Sequence, residues 1–207
     1  QRLIAFASAL FGFVRGGLSM ITIGTSMFFA EISGSAVADV AALGSILIPA
    51  MKKRGYPAPF AAAVMSSSAT LAVIIPPSIP MILYAVMAQT SVVQLFVAGV
   101  VPGLLGGLGM MALSYWFARR YNYPVEETFQ LRRVGRTFKE ASLAFSLPLI
   151  VLGGIFGGFV TATEGAALAV LASLLISGVY RELDLRRLKD AVIEGGIHTS
   201  VVMLLVA

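Results

Sequence analysis

Two helix-breaking segments lie inside long apolar stretches of this chain: Ser33-Gly34-Ser35 and Ile75-Pro76-Pro77-Ser78-Ile79-Pro80. In a bilayer the backbone has no water to bond. A broken helix persists there only when it is packed in protein or lines a wet cavity. Two such breaks in one chain point to a place where a membrane opens to a solute, as at a transporter binding site. Composition agrees: 58% of residues are hydrophobic and 12% charged, about half the charge of a soluble domain. The expected fold class is an all-α polytopic membrane protein.

Apolar runs near the ~20 residues that cross a bilayer alternate with charged loops, and they divide the chain. Residues 1–15 end a preceding helix, 16–51 form a hairpin with its tip at 33–35, and 58–89 form a broken transmembrane helix with the break at 74–80. Residues 93–118 make a further span, 141–180 two more, and 195–207 a truncated one. The loops at 52–54, 119–140 and 181–194 hold all the Lys and Arg except Arg2 and Arg15. Single crossings by the intervening runs bring all three loops to one face, which the excess of positive charge marks as cytoplasmic. The net charge of +5 is therefore topology rather than a nucleic-acid footprint. Because the chain opens on Gln1 and stops inside an apolar run, it is expected to be a fragment.

The hairpin starts after Arg15 and ends at Lys52, so it enters and leaves on the same face. Charge alone leaves open whether it crosses fully or dips and returns. Each arm has about 17 residues, roughly 25 Å, against a hydrocarbon core of ~30 Å. That length favours a re-entrant hairpin. The 119–140 loop mixes Arg132, Arg133, Arg136 and Lys139 with Glu126 and Glu127. It reads as a solvated linker or a short interfacial amphipathic helix, with anionic headgroups as possible contacts.

At the tip, Ser33, Gly34 and Ser35 supply hydroxyls, a permissive backbone and freed carbonyls. The amides of the second arm point back at them with partial positive charge. Such an end favours a carboxylate, while unwound carbonyls favour a cation such as sodium. Packing of small residues is the plain alternative. At the second break, Pro76, Pro77 and Pro80 lack amide donors and leave carbonyls around residues 73–75 without helical partners. Upstream, Ser66, Ser67, Ser68 and Thr70 offer either a polar path or tight packing.

Three acids fall within apolar runs: Glu31, Asp39 and Glu164. Ionisable groups at such depth are functional candidates. Glu31 and Asp39 flank the tip, although Asp39 also suits a local cap or pair. Glu164, with Thr161 or Thr163, reads as a helix cap. Hydrolysis is poorly supported. Cysteine is absent, His198 is the single histidine, and HExxH, GxSxG and the phosphate-binding GxxxxGK[ST] are all missing. Uphill movement of a solute would need an ion gradient, with no cofactor.

Several motifs follow one another in a familiar order. They are Gly16-Gly17-Leu18, Phe28-Phe29-Ala30-Glu31-Ile32-Ser33-Gly34-Ser35-Ala36-Val37-Ala38-Asp39, Pro49-Ala50-Met51, Gly55-Tyr56, and Ile75-Pro76-Pro77-Ser78-Ile79 with Tyr84. Leu95-Phe96, Pro102-Gly103, Gly153-Gly154-Ile155-Phe156-Gly157-Gly158-Phe159 and Thr161-Ala162-Thr163-Glu164 complete the series. Together they resemble the large membrane (M) subunit of tripartite ATP-independent periplasmic (TRAP) transporters over nearly the whole chain.

The resemblance implies an elevator-type, sodium-coupled importer of organic acids, dicarboxylates or sialic-acid-like carboxylates, in a bacterial inner membrane. It also implies two partners, a small membrane (Q) subunit and a periplasmic substrate-binding (P) subunit. It would make Ser33, Gly34, Ser35, Pro76, Pro77 and Ser78 the frame of a sodium ion and one edge of the substrate, with Glu31 and Asp39 supporting. The chain would be about the first half of such a subunit. Ala162 departs from the proline common at this position in the family. A non-transporting scaffold and an intramembrane enzyme using Glu31 and Asp39 are the alternatives.

Overall fold

Four of the described helix starts are set by short polar side chains. Ser35 accepts from the Ala38 amide at 3.5 Å, Ser78 from Met81 at 3.5 Å and Ser91 from Gln94 at 3.4 Å. Thr161 and Glu164 form a reciprocal capping box: Thr161 Oγ1 accepts from the Glu164 amide, and Glu164 Oε2 accepts from the Thr161 amide at 2.7 Å. Each cap satisfies amides that a helix N-terminus otherwise leaves unpaired. The expected Glu164 cap is thus present, with Thr161 as its partner.

A computed structural model of the chain describes residues 2–126, 128, 130–180 and 184–206. Gln1, Glu127, Arg181 and Ala207, which belong to the chain ends and charged loops above, lie outside the described residues. Described elements are α1 (Arg2–Phe11), α2 (Gly17–Ser33), α3 (Ala36–Lys53), α4 (Ala58–Ala69), a 3-10 turn (Thr70–Val73), α5 (Ile79–Met87), α6 (Val92–Arg120), α7 (Leu131–Phe156), α8 (Ala162–Val179) and α9 (Leu185–Val206). The described fold is all-helical. Helices α6, α7 and α8 are long and apolar enough to cross a membrane. Leu104, Leu105, Leu108, Leu171 and Leu175 on α6 and α8 are exposed, as lipid-facing side chains would be.

Helix α2 is the centre of the packing. It lies against α1, α3, α4 and α6, and Ser19, Thr22, Thr25 and Ser26 on it are fully buried. Hydroxyls knit it to its neighbours: Ser26 and Ser68 Oγ are 3.0 Å apart, and Ser114 Oγ donates to Ser19 Oγ at 2.6 Å. Phe6, Phe28, Phe138 and Phe145 bring α1, α2 and α7 together with ring centroids 5.3–6.1 Å apart.

Three segments depart from the expected pattern. First, the 119–140 loop is helical from Leu131, as the helix alternative had it. That helix runs on into the next span instead of standing as a short separate one, because 131–147 contains no proline and Arg136 pairs with Glu140 one turn on at 3.0 Å. Before that helix the chain is tied down rather than solvated. Pro124 accepts from the Gly16 amide at 3.2 Å, Glu126 donates its amide to Gly12 at 3.1 Å, and Arg54 pairs with Glu126 at 3.1 Å. Second, the loop expected at 181–194 gives way to α9 at Leu185, where Asp184 Oδ1 accepts from the Arg186 amide at 3.0 Å. Third, Pro80 is not part of the break. It sits in the first turn of α5, where a missing amide costs nothing. The regular helix is lost earlier instead, from Thr70.

Candidate functional site

Helix α2 stops at Ser33 because Gly34 adopts φ +58°, a left-handed turn in which its amide still reaches Ala30 O at 3.0 Å. Helix α3 starts at Ala36, two residues after Gly34. The tip therefore stacks the C-terminal carbonyls of one helix against the N-terminal amides of the next. Ser33 Oγ donates to Asp39 Oδ1 and accepts from the Ser35 amide at 3.3 Å. Asp39 is fully buried, and its second oxygen, Oδ2, has no hydrogen-bond partner. An unpaired buried carboxylate oxygen is costly unless a cation or donor occupies that side.

The break is built from Ile74 to Ser78. Ser78 Oγ donates to the Val73 carbonyl at 2.7 Å, one of the carbonyls released by the prolines, and also caps α5. Ser78 is 1% exposed. The two breaks meet: the Ile79 amide donates to Gly34 O at 3.3 Å, and a Cβ on Gly34 would lie 2.8 Å from Pro77 O. Ser33, Gly34, Pro77, Ser78 and Asp39 thus share one locus with two helix N-termini converging on it. Pro76 and Glu31 line one cavity of about 230 Å³, and Pro77 and Glu31 line another of about 200 Å³. Ser35 is turned to capping α3. Of the upstream hydroxyls, Ser68 packs against Ser26, while Ser66 and Thr70 are exposed and bond to their own helical turn.

Sequence reasoning singled out Gly103 but missed the stripe it forms with Gly99 and Gly107, which recur every four residues and are buried on α6. A Cβ at Gly99 would lie 2.5 Å from Ile74 O, and one at Gly103 would lie 2.7 Å from Ile75 Cγ1. The stripe lets α6 lie against the unwound segment, and its small-xxx-small spacing was the available signal.

Comparison with known proteins matches the sequence of this chain to a family. The family model described as "Tripartite ATP-independent periplasmic transporter, DctM component" matches residues 1–207. The isethionate TRAP transporter permease protein DctMQ of Oleidesulfovibrio alaskensis is 44% identical over 209 residues, covering 100% of this chain and 33% of that protein. The C4-dicarboxylate TRAP transporter large permease protein DctM of Pseudomonas aeruginosa is 42% identical, covering 100% and 49%. The sialic acid TRAP transporter permease protein SiaT of Haemophilus influenzae is 37% identical, covering 100% and 34%. The chain thus spans between a third and a half of the length of these relatives, which are membrane permeases and not enzymes. By the match over its whole length, this chain belongs to the DctM component family of tripartite ATP-independent periplasmic transporters.

Proposed function

We propose that these residues supply one half of the ion and substrate site of a sodium-coupled importer of organic acids in a bacterial inner membrane. The observation that carries the reading is the buried, unpartnered Asp39 Oδ2 at the junction of two helix breaks. A carboxylate oxygen beside the carbonyls of two unwound turns suits sodium. The converging N-termini of α3 and α5 suit the carboxylate of the cargo. Ser33, Gly34, Pro76 and Pro77 frame the ion, with Asp39 as its charged ligand. Ser35 and Ser78 hold the helix ends that face the acid.

In this reading α2 and α3 are a re-entrant hairpin. Their 17 and 18 residues rise about 26 Å, less than a ~30 Å hydrocarbon core. The hairpin and the break would move together, as an elevator requires, because Ile79 and Gly34 bond them directly. A second half of the permease would close the site, a small membrane subunit would accompany it, and a periplasmic binding protein would deliver the acid. The Lys- and Arg-bearing loops would face the cytoplasm.

The test is sodium-driven uptake of labelled organic acid by the complete permease, reconstituted with its small subunit and binding protein. Ser35→Leu and Ser78→Leu should abolish uptake while the protein remains in the membrane. Undiminished uptake in both variants rejects the reading.

A further inference from the structure

Glu31 is the one residue shared by the two cavities beside the break, and its carboxylate is the single polar side chain lining either of them. The first cavity is walled by Ile32, Pro77, Ile82, Leu147 and Val151; the second by Met27, Pro76, Val100, Leu104 and Leu152. Glu31 is only partly buried and lines both spaces. Among the described residues no hydrogen bond or ion pair reaches it. A carboxylate at membrane depth with no protein partner needs one from elsewhere.

The surroundings limit what that partner is. A bare metal ion takes several oxygen ligands, and every side chain lining the two cavities other than Glu31 is apolar. A cation that needs a single carboxylate and is otherwise content with apolar walls is an alkylammonium. Its charge meets the acid while its carbon chain lies on proline, leucine and valine, the usual division of labour in a ligand pocket. A second carboxylate in the same place would instead face a like charge.

We propose that Glu31 is a specificity-determining residue that receives the ammonium group of the transported acid, so that this site prefers zwitterionic acids to dicarboxylates. The inference rests on the proposed function. The cargo's carboxylate would lie at the helix N-termini behind Ser35 and Ser78, and its cationic end would lie two residues upstream of Ser33.

The test uses the complete permease with its small subunit, purified without the binding protein so that the binding protein's own selectivity does not enter. Thermal stabilisation in saturating sodium gives the affinity for γ-aminobutyrate, γ-hydroxybutyrate and succinate, three acids of equal chain length. The wild type should bind γ-aminobutyrate at least ~tenfold more tightly than succinate, and Glu31→Gln should erase that preference without weakening succinate. A wild type that ranks succinate level or higher overturns the proposal. So does a Glu31→Gln variant that keeps the ranking, or one that changes only the sodium dependence. If Glu31→Gln, Glu31→Asp and Glu31→Ala all fail to fold, the carboxylate is a structural partner and the proposal falls. Should neither sodium nor any of the acids stabilise the wild type, the organic-acid site itself is lost along with it.

Discussion

The Ile79 amide donates to the Gly34 carbonyl at 3.3 Å, joining the start of α5 to the turn between α2 and α3. The contact needs a residue without a side chain at position 34. Its φ of +58° is left-handed, and a Cβ there would approach Pro77 O to 2.8 Å. Gly34→Ala should therefore cost about 2 kcal/mol or more, through backbone strain plus displacement of the break. Gly55, at φ +84° with nothing within 4 Å, is the control. Gly55→Ala bears only the strain and should cost about 1 kcal/mol. Thermal unfolding of both variants checks the difference, and equal losses would mean that the tip and break are not in close contact.

Asp39→Asn is the direct probe of the unpartnered oxygen. Asparagine keeps an acceptor for Ser33 Oγ but puts an N–H2 donor where Oδ2 stands, and it removes the charge. Polar contacts to a charged group are worth about 1.5–3 kcal/mol against about 1 for neutral ones, so the sodium concentration for half-maximal stabilisation should rise about tenfold. The fold itself should survive, since a buried unpaired charge is also removed. Sodium titration of the melting temperature, with potassium as the control salt, gives the result.

Much of the site was legible because certain residues force the backbone. Pro76 and Pro77 cannot donate, and Gly34 alone accepts a left-handed turn, so both breaks follow from residue type. That they touch each other does not, since the Ile79–Gly34 bond spans 45 residues and depends on how the helices pack. Pro80 misled for a related reason: the same residue breaks a helix interior and starts a first turn, and Ser78 as a cap decides between them. Charge density around 119–140 suggested solvent. Glu126, however, has a side chain 7% exposed because Arg54, from the end of the hairpin, pairs with it, and loop composition carries no trace of that partner.

The glycine stripe on α6 yields a matched pair of substitutions. Gly99→Ala drives a Cβ to 2.5 Å from the Ile74 carbonyl, which is backbone and cannot swing aside. Overpacking of this kind costs about 1–3 kcal/mol. Gly109, on the same helix, has nothing within 4 Å of the place a Cβ would take, and Gly109→Ala should be neutral or gain up to about 1 kcal/mol from helix propensity. Because Ile74 belongs to the break, Gly99→Ala should also weaken sodium-dependent stabilisation. Unaltered melting in both variants would mean that α6 is not seated on the unwound segment.

Tyr56 gives the pH dependence its sign. It lies in the turn between α3 and α4, 3% exposed, with its ring centroid 4.3 Å from that of Tyr123 and its hydroxyl without a hydrogen bond of good geometry. Burial pushes the hydroxyl up to about 12, with the charges of Glu126 and Tyr123 adding to the effect and nearby Ser19 opposing it. In the unfolded chain a tyrosine ionises near 10. Between about pH 10 and 12 the unfolded state therefore sheds a proton that the folded state keeps, and stability falls as pH rises. Below about 10 both states hold the proton and the contribution is complete. Tyr56→Phe removes the ionising group together with a buried hydroxyl that lacks a partner, so at neutral pH its stability should stay within ~1 kcal/mol of wild type. At alkaline pH its melting temperature should decline less steeply than the wild type's. Parallel curves would show that this hydroxyl ionises as it does in the unfolded chain, and that the packing of 121–126 over the base of the hairpin is open to water.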